Sequence, residues 1–210
     1  MSNDLKFKIS HKVTEDNSSN FTIKPLDRGY GITIGNSLRR ALLTAVPGAA
    51  ITNVKIEGAH HEFSTIDGVT EDVADIIMNL KGVRFHLFES KVEPIFLKVK
   101  GPNAFTAADI QAVSDDFTIL NPDHHITDIA KGTTLEVELR LGIGKGYKSS
   151  EENKLNNSPV GMIPIDSIFN PVTKVSFNVS PLPGAKEDTE MLSLNVCLLY
   201  TSDAADEWPG

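Results

Sequence analysis

Two stretches with a helical period of apolar residues interrupt a chain of 210 residues whose other patterns are those of β-strands. The clearer stretch is "VTEDVADIIMNLKG". Its apolar residues recur at i, i+3, i+4 and i+7, which places them on one face of a helix: Val73, Ile76, Ile77 and Leu80. Thr70 is the predicted N-cap, and Lys81 followed by Gly82 suits the C-terminal end.

The other helical stretch is "GYGITIGNSLRRALL", which is entered through glycines, with Thr33 predicted at or near the N-cap. The sequence "VPG" at residues 46–48 ends it, because a residue before proline is disfavoured in a helix. One stripe about 100° wide collects its apolar side chains: Ile34, Leu38, Ala41, Leu42 and Ala45. This stripe is predicted to bury the helix in its own domain.

Three residues of the same helix lie off that stripe. Leu43 points about 180° away from Ile34 at the helical angle of about 100° per residue, and Arg39 and Arg40 flank it. One interpretation is an exposed leucine between solvated arginines, which is common on monomers. The other is a second contact surface, since the planar donor fork of arginine is favoured at interfaces. Helical geometry alone leaves both open.

Strand patterns dominate elsewhere. Residues 5–26 predict one or two strands, and residues 83–141 contain "VRFHLF", "PIFLKVK", "FTIL" and "TLEVELRL", separated by turn residues. The segment "GIGKGYKSSEENKLNNSP" is glycine-rich and then polar, which predicts a long mobile loop. Few helices among antiparallel strands indicate an α+β fold.

The composition excludes several classes of protein. A net charge of -8 and a pI of about 5.2 make a poor general DNA binder, because phosphate binding needs clustered Lys and Arg. The sequence contains no run of about 18 apolar residues, so we expect no membrane-spanning helix. The start, "MSNDLKFKIS", lacks the apolar core of a signal peptide. We therefore expect a cytoplasmic protein without a membrane segment.

The search for catalytic, metal and cofactor sites finds no candidate that outweighs a structural explanation. His60 and His61, like His124 and His125, are adjacent, and neighbours in a strand point to opposite faces, so no metal site is expected. The segment "GIGKGYK" lacks the spacing and the following helix of a phosphate-binding loop. A stand-alone phosphate-ligand-binding enzyme using Gly142–Gly146 is kept as the alternative function.

The two helical stretches also carry a family resemblance. "RGYGITIGNSLRRALL" and "HEFSTIDGVTEDVADIIMNLKG" strongly resemble the amino-terminal region of the bacterial RNA polymerase alpha-subunit family. "FTAADI", "VELRLGIGKGY" and "PIDSIFNPVTKVSFNV" extend the resemblance more loosely. It implies an antiparallel sheet with helices that forms a dimerisation domain, residues 1–47 and 175–196. It also implies an inserted β-rich domain, residues 48–174.

The resemblance further implies a homodimer on which the beta and beta-prime subunits assemble for DNA-templated transcription, without catalytic groups or cofactors of its own. The residues implied in the beta-subunit contact are Arg40, Leu43, Arg39 and Lys81. Those implied in the beta-prime contact are Ile165 and Phe169. Those implied in the dimer interface and core of the helix are Ile34, Leu38 and Leu42.

Two departures from the family pattern limit what the resemblance implies. Alpha subunits continue into a carboxy-terminal domain that binds promoter DNA, which this sequence lacks, so we expect no direct DNA binding. After "LSLNV" the family continues into a long helix rich in Ala and Leu, whereas this sequence has "CLLYTSDAADEWPG". We therefore interpret residues 197–210 as an aberrant tail.

Overall fold

The computed structural model describes residues 7–14, 18–59, 61–88, 93–155, 158–185 and 188–198. The helices within these ranges are α1 (Tyr30–Thr44), α2 (Val73–Lys81) and α3 (Ala107–Gln111). The strands are β1 (Lys8–Thr14), β2 (Ser18–Asp27), β3 (Pro47–Ile56), β4 (Phe85–Leu87), β5 (Ile95–Lys100), β6 (Asn103–Thr106), β7 (Phe117–Ile119), β8 (His125–Ile129), β9 (Thr134–Lys145), β10 (Tyr147–Lys148), β11 (Met162–Pro164), β12 (Ser167–Ile168), β13 (Val172–Pro181) and β14 (Thr189–Leu198). Antiparallel sheets with few helices confirm the predicted α+β class.

The chain divides into two compact units. Unit 1 combines residues 1–46 with residues 170–210, and unit 2 is the continuous segment 47–169 between them. Residues 172–174, which the sequence analysis placed in the insert, lie in β13 of unit 1, because that strand pairs along its length with β14. Cys197 and Leu198, assigned to the tail, continue β14. Residues 199–210 of that tail lie outside the described residues.

Unit 1 is a four-stranded antiparallel sheet in the order β1-β2-β14-β13, with α1 packed on it. The central strands β2 and β14 pair apolar residues across the ladder, with Phe21 opposite Leu194. Such directly opposed side chains share one face of the sheet. Leu38 and Leu42 of α1 pack against the buried cluster that includes Val175 and Leu194. The core of unit 1 therefore lies between α1 and one face of the sheet.

Glycines, rather than a broad apolar stripe, let α1 approach the sheet. Gly31 and Gly35 are its buried residues, and a Cβ on Gly35 would lie 2.5 Å from the Phe177 ring. The predicted stripe is wrong at Ala41 and Ala45, which are exposed. The closest approach between α1 and the sheet lies nearer the start of the helix, at these glycines. Because glycine has no side chain, it contributes no hydrophobic signal to the sequence pattern.

The start of α1 also differs from the prediction. Gly29, with φ +87°, is the N-cap, and Thr33 lies inside the helix. Glu190 of β14 supplies the acceptors instead: its carboxylate accepts hydrogen bonds from the backbone N–H groups of Gly29 (3.0 Å) and Gly31 (3.2 Å). A carboxylate at this end of a helix satisfies free donors and complements the helix dipole.

Unit 2 holds the larger core, built on a sheet in the order β5-β9-β3-β4-β7, with β11 paired to β3. The helical prediction for α2 is confirmed, and all four apolar residues of its predicted face are buried. The predicted N-cap is wrong, because Asp72 rather than Thr70 caps the helix, accepting a hydrogen bond from the backbone N–H of Asp75 at 2.8 Å. The smaller ladders β6-β8 and β10-β12 complete the described part of unit 2.

The predicted loop after residue 141 is also wrong in its first part. Residues 142–145 continue β9, and the chain turns at Gly146, with φ +62°, into β10. Two glycines of "GIGKG" make room for side chains: a Cβ on Gly144 would lie 2.6 Å from the Phe169 ring, and one on Gly142 would lie 2.7 Å from Thr52 Cγ2. These glycines therefore serve packing inside unit 2, and the structure offers no support for the phosphate-binding alternative.

Candidate partner-binding surfaces

The outer side of α1 presents the two arginines that lie off the packed face. Arg39 and Arg40 are exposed, and their side chains form no hydrogen bond or ion pair with the described residues. The orientation of Leu43 differs from the sequence prediction, which placed this leucine on the outer side of the helix. It is half-buried against the same cluster as Leu38, and its carbonyl accepts a hydrogen bond from Asn170 Nδ2 at 2.8 Å. α1 thus offers two free guanidinium groups beside a leucine that packs partly inward.

Unit 1 leaves an apolar cavity of about 410 Å³ open between α1 and the sheet. Its lining includes the predicted dimer residues Leu38 and Leu42, whereas Ile34 packs with Ile23 and Leu192. The β1 side of the cavity carries Ile9, which is exposed. An uncovered apolar surface of this kind marks an interaction site more often than it marks an ordinary monomer surface.

A second set of contacts ties the start of α2 to β8. Glu71 Oε2 accepts hydrogen bonds from Thr127 Oγ1 (2.5 Å) and from the backbone N–H of Asp128 (2.9 Å). Glu71 Oε1 lies 3.1 Å from His125 Nε2. Partial burial acts to raise the pKa of Glu71, but these hydrogen bonds outweigh it and lower that pKa to about 2. The Glu71 carboxylate is therefore charged at neutral pH, and both of its oxygens take part in these contacts.

The same contacts bring together three side chains of the types that can bind a metal ion. Glu71, His125 and Asp128 each offer one ligand atom within 4.8 Å of the others. Because both oxygens of Glu71 already accept hydrogen bonds, the arrangement fits a structural tie between α2 and β8. The neighbouring His124 contacts the helix instead, with Nε2 2.8 Å from the Asn79 carbonyl. His60 lies outside the described residues.

The tie at Glu71 predicts a specific dependence of stability on pH. Because the folded-state pKa lies below the ordinary 4.5, its stabilisation is complete above about pH 4.5 and is lost as the pH falls toward 2. We expect Glu71→Gln to lower the free energy of unfolding by about 1–2 kcal/mol near neutral pH, a value reduced for partial solvent exposure. Urea unfolding at a series of pH values should show this difference shrinking below about pH 4.5.

The control is Glu57→Gln, which removes one carboxylate from an exposed position of the same unit. We expect this variant to stay within about 0.5 kcal/mol of the wild type across the series. A Glu71→Gln difference that stays constant from neutral to acidic pH would contradict the assignment.

Lys81, at the end of α2, forms a bond within its own unit. Its Nζ lies 2.5 Å from Asp166 Oδ1, and both side chains are half-buried. The hydrogen bond from Lys81 is the largest influence on Asp166 and, despite partial burial, holds the pKa of that carboxyl below its usual range. The pair joins the two segments in which the sequence analysis placed the beta and the beta-prime contacts, "NLKG" and "PIDSIF".

The two residues predicted to contact beta-prime are part of the core. Ile165 is 2% exposed and Phe169 is 3% exposed, with the Phe169 ring packed against Gly144. Buried side chains have almost no surface for a partner. Ile168, between them, is 59% exposed and pairs across the ladder with Tyr147, which is 63% exposed. In this stretch the outward apolar surface is therefore carried by Ile168 and Tyr147.

Among the helices that the structure describes, none is both long and apolar enough to cross a membrane.

Comparison with known proteins adds a family assignment to this geometry. A family model described as the RNA polymerase Rpb3/RpoA insert domain matches residues 54–170, nearly all of them in unit 2. The DNA-directed RNA polymerase subunit alpha of Salinibacter ruber is 50% identical over 182 residues, or 86% of this chain and 56% of the relative. The proteins of the same name from Chloroherpeton thalassium and Limosilactobacillus reuteri are 48% and 47% identical, over 84% and 89% of this chain.

This chain spans only about half the length of these relatives, 54% to 60% of the three compared. Unit 2 nevertheless matches the family model almost from end to end, and the matched segment exceeds half of the chain. The chain therefore belongs to the bacterial RNA polymerase alpha-subunit family.

Proposed function

We propose that this chain is an assembly subunit of a DNA-directed RNA polymerase, which pairs with a second copy of itself and recruits the beta and beta-prime subunits. In this role it acts in the cytoplasm within a nucleotidyltransferase complex and contributes no catalytic groups. The identity of its relatives as subunit alpha of DNA-directed RNA polymerases supports the role. The net charge of -8 argues that DNA is held by other parts of such a complex.

The observation that carries the proposal is the exposed arginine pair of α1. Arg40 lies about 180° around α1 from Gly31, which with Gly35 fixes the helix to the sheet, and Arg39 lies at the edge of that packed face. Both guanidinium groups are therefore held on a rigid element. Arginine on a rigid helix can donate a planar pair of hydrogen bonds to a partner carboxylate. We assign Arg40 and the outward part of Leu43 to the beta contact, with Arg39 beside them.

The apolar cavity of unit 1 supports the pairing of two copies. Leu38 and Leu42 line it from α1, and Phe21 and Leu194 line it from the sheet, so an apolar surface from a second copy would extend the same core. Burying such surface gives about 25 cal/mol per Å² removed from water. We assign Ile34, Leu38 and Leu42 to the core and margin of this interface.

For the beta-prime contact we propose the β10-β12 ladder. Its outward residues Tyr147 and Ile168 supply the contact, and Ile165 and Phe169 support it from the core. Lys81 and Asp166 tie this ladder's segment to the end of α2.

Removal of the Arg40 side chain tests the role directly. We expect Arg40→Ala to raise the Kd for the beta subunit at least about 30-fold, because truncating a hydrogen-bonded interface charge costs about 2–5 kcal/mol. The free energy of unfolding should change by less than about 0.5 kcal/mol, since the side chain is exposed. Capture of co-expressed beta subunit, with sedimentation to count copies of the chain in the complex, measures both binding and pairing.

Arg28→Ala is the matched control, because Arg28 is an exposed arginine of the same unit whose ion pair with Asp188, at 3.6 Å, is solvent-exposed. Exposed pairs of this kind contribute about 0–1 kcal/mol. Beta capture unchanged by Arg40→Ala, or unfolding of that variant, would overturn the assignment of α1 to the beta contact.

A further inference from the structure

Arg84 lies between α2 and β4, where its backbone is fixed on both sides. Its N–H donates to Asn121 Oδ1 at 2.8 Å, and its carbonyl accepts from the backbone N–H of Leu120 at 3.0 Å. Asn121 in turn donates from Nδ2 to the Gly82 carbonyl at 3.0 Å. The Arg84 side chain therefore projects from a position with little freedom, three residues after the end of α2.

The Arg84 guanidinium is half-buried and only partly satisfied. Nη1 donates to the Lys81 carbonyl at 3.1 Å, at the negative end of the α2 dipole. The guanidinium has five N–H donors, and within the described ranges its remaining donors find no acceptor in the protein. Burial lowers the pKa of Arg84, as expected for a cation that is partly removed from water.

The neighbouring cation is in a different situation. Lys81 is neutralised by Asp166 at 2.5 Å, whereas no carboxylate of the described residues forms an ion pair with Arg84. The end of α2 therefore carries one compensated and one uncompensated positive charge. A half-buried cation loses part of its hydration, and a counter-charge from a partner would offset that loss. Its backbone anchors and its bond to the Lys81 carbonyl hold Arg84 in place for that partner.

We propose that Arg84 receives a carboxylate side chain of the beta subunit at the end of α2, beside Lys81. The inference rests on the proposed function, because the partner is the one assigned to this chain there. A carboxylate suits the free edge of the guanidinium, which can donate two parallel hydrogen bonds to its two oxygens. A nucleic-acid phosphate is disfavoured, because an acidic chain lacks the clustered cations that phosphate binding needs.

The test measures the Kd of the whole chain for the beta subunit at several salt concentrations. We expect Arg84→Met to weaken binding about 10- to 100-fold, the range for losing a charge-assisted hydrogen-bonded contact, and to reduce the salt dependence. Arg84→Lys should lie between Arg84→Met and the wild type, because it keeps the charge and loses the planar fork. Thermal unfolding of each variant checks that the fold is retained.

Arg140→Met is the matched control, since Arg140 is also half-buried but donates from Nε and Nη2 to Glu138 within the chain. We expect this variant to bind beta like the wild type. Wild-type affinity in Arg84→Met, while Arg40→Ala still weakens capture, overturns the inference and leaves the proposed function standing. A wild-type chain that captures no beta overturns both.

Two further outcomes overturn the inference. In one, Arg84→Met loses stability and binding together while Arg84→Lys binds like the wild type. In the other, a single-stranded RNA oligonucleotide binds the chain and Arg84→Met abolishes that binding, which would assign the site to phosphate.

Discussion

We expect Ile76→Ala to lower the free energy of unfolding of unit 2 by about 3–5 kcal/mol, the upper part of the range for truncating a buried isoleucine. Ile76 is 0% exposed and lies at the centre of the α2 face that packs into the unit 2 core. The loss combines the transfer of the removed methyl and methylene groups with the cavity they leave. Because Asn79 Nδ2 donates to the Ile126 carbonyl at 2.8 Å and the Glu71 contacts hold the start of α2 on β8, the space can close only in part.

Met78→Ala is the control for this variant, since Met78 occupies the same helix but is 64% exposed. We expect it to change the free energy of unfolding by less than about 0.5 kcal/mol. Urea unfolding followed by far-UV circular dichroism gives the free energies, and hydrogen exchange across residues 73–81 assigns the transition to unit 2. Equal effects of the two substitutions would show that α2 is not held by its predicted face.

The same helix shows what local pattern can predict. Four apolar residues at helical spacing identified α2, its buried face and its C-terminal end at Lys81 and Gly82. The predicted N-cap is wrong because Thr70 and Asp72 are both suitable capping residues. Which of them caps the helix depends on the path of the preceding chain. The periodicity of the sequence therefore fixed the element and its orientation, while tertiary context set its first residue.

The glycines show where local pattern is insufficient. In α1 the sheet is approached at Gly31 and Gly35, and in β9 the ring of Phe169 packs on Gly144. A residue without a side chain has no hydrophobic signal, so the apolar stripe that the sequence predicts for α1 misses these glycines and includes the exposed Ala41 and Ala45. For the same reason, the end of β9 had the composition of a loop.

Long-range polar contacts are the other part that sequence reasoning missed. The resemblance implies a beta-subunit contact for Lys81, which stays a prediction, whereas the bond of Lys81 to Asp166 spans 85 positions and follows from no pattern. Glu190 likewise reaches the start of α1 across about 160 positions. Neither separation follows a helical or strand period, so no local rule predicts it. The Arg84 guanidinium likewise depends on tertiary context, because the Asp166 carboxylate at the end of α2 pairs with Lys81.

Gly35→Leu is expected to detach α1 from the sheet and to remove beta capture with it. A Cβ added at Gly35 would lie 2.5 Å from the Phe177 ring, so a leucine must displace the ring or lift the helix. Overpacking of this kind costs about 1–3 kcal/mol and sometimes more. We expect the free energy of unfolding of unit 1 to fall by about 3 kcal/mol, because the gain in helix propensity on replacing glycine, about 1 kcal/mol, offsets only part of the clash. Asn36→Leu adds the same side chain at an exposed position of α1 and should retain the stability of the wild type.

A double-mutant cycle with Phe177 separates the clash from a general effect on the helix. Phe177→Ala alone destabilises unit 1, because its ring packs against both core clusters of that unit. In the double variant the leucine can occupy the space of the ring, so its loss of stability should be smaller than the sum of the two single losses by about 1–3 kcal/mol. Capture of the beta subunit should return in the double variant, because α1 again packs on the sheet and presents Arg40 from a fixed position. Strictly additive losses would mean that α1 does not rest on β13 through Gly35, and the rigid presentation of Arg40 would lose its structural basis.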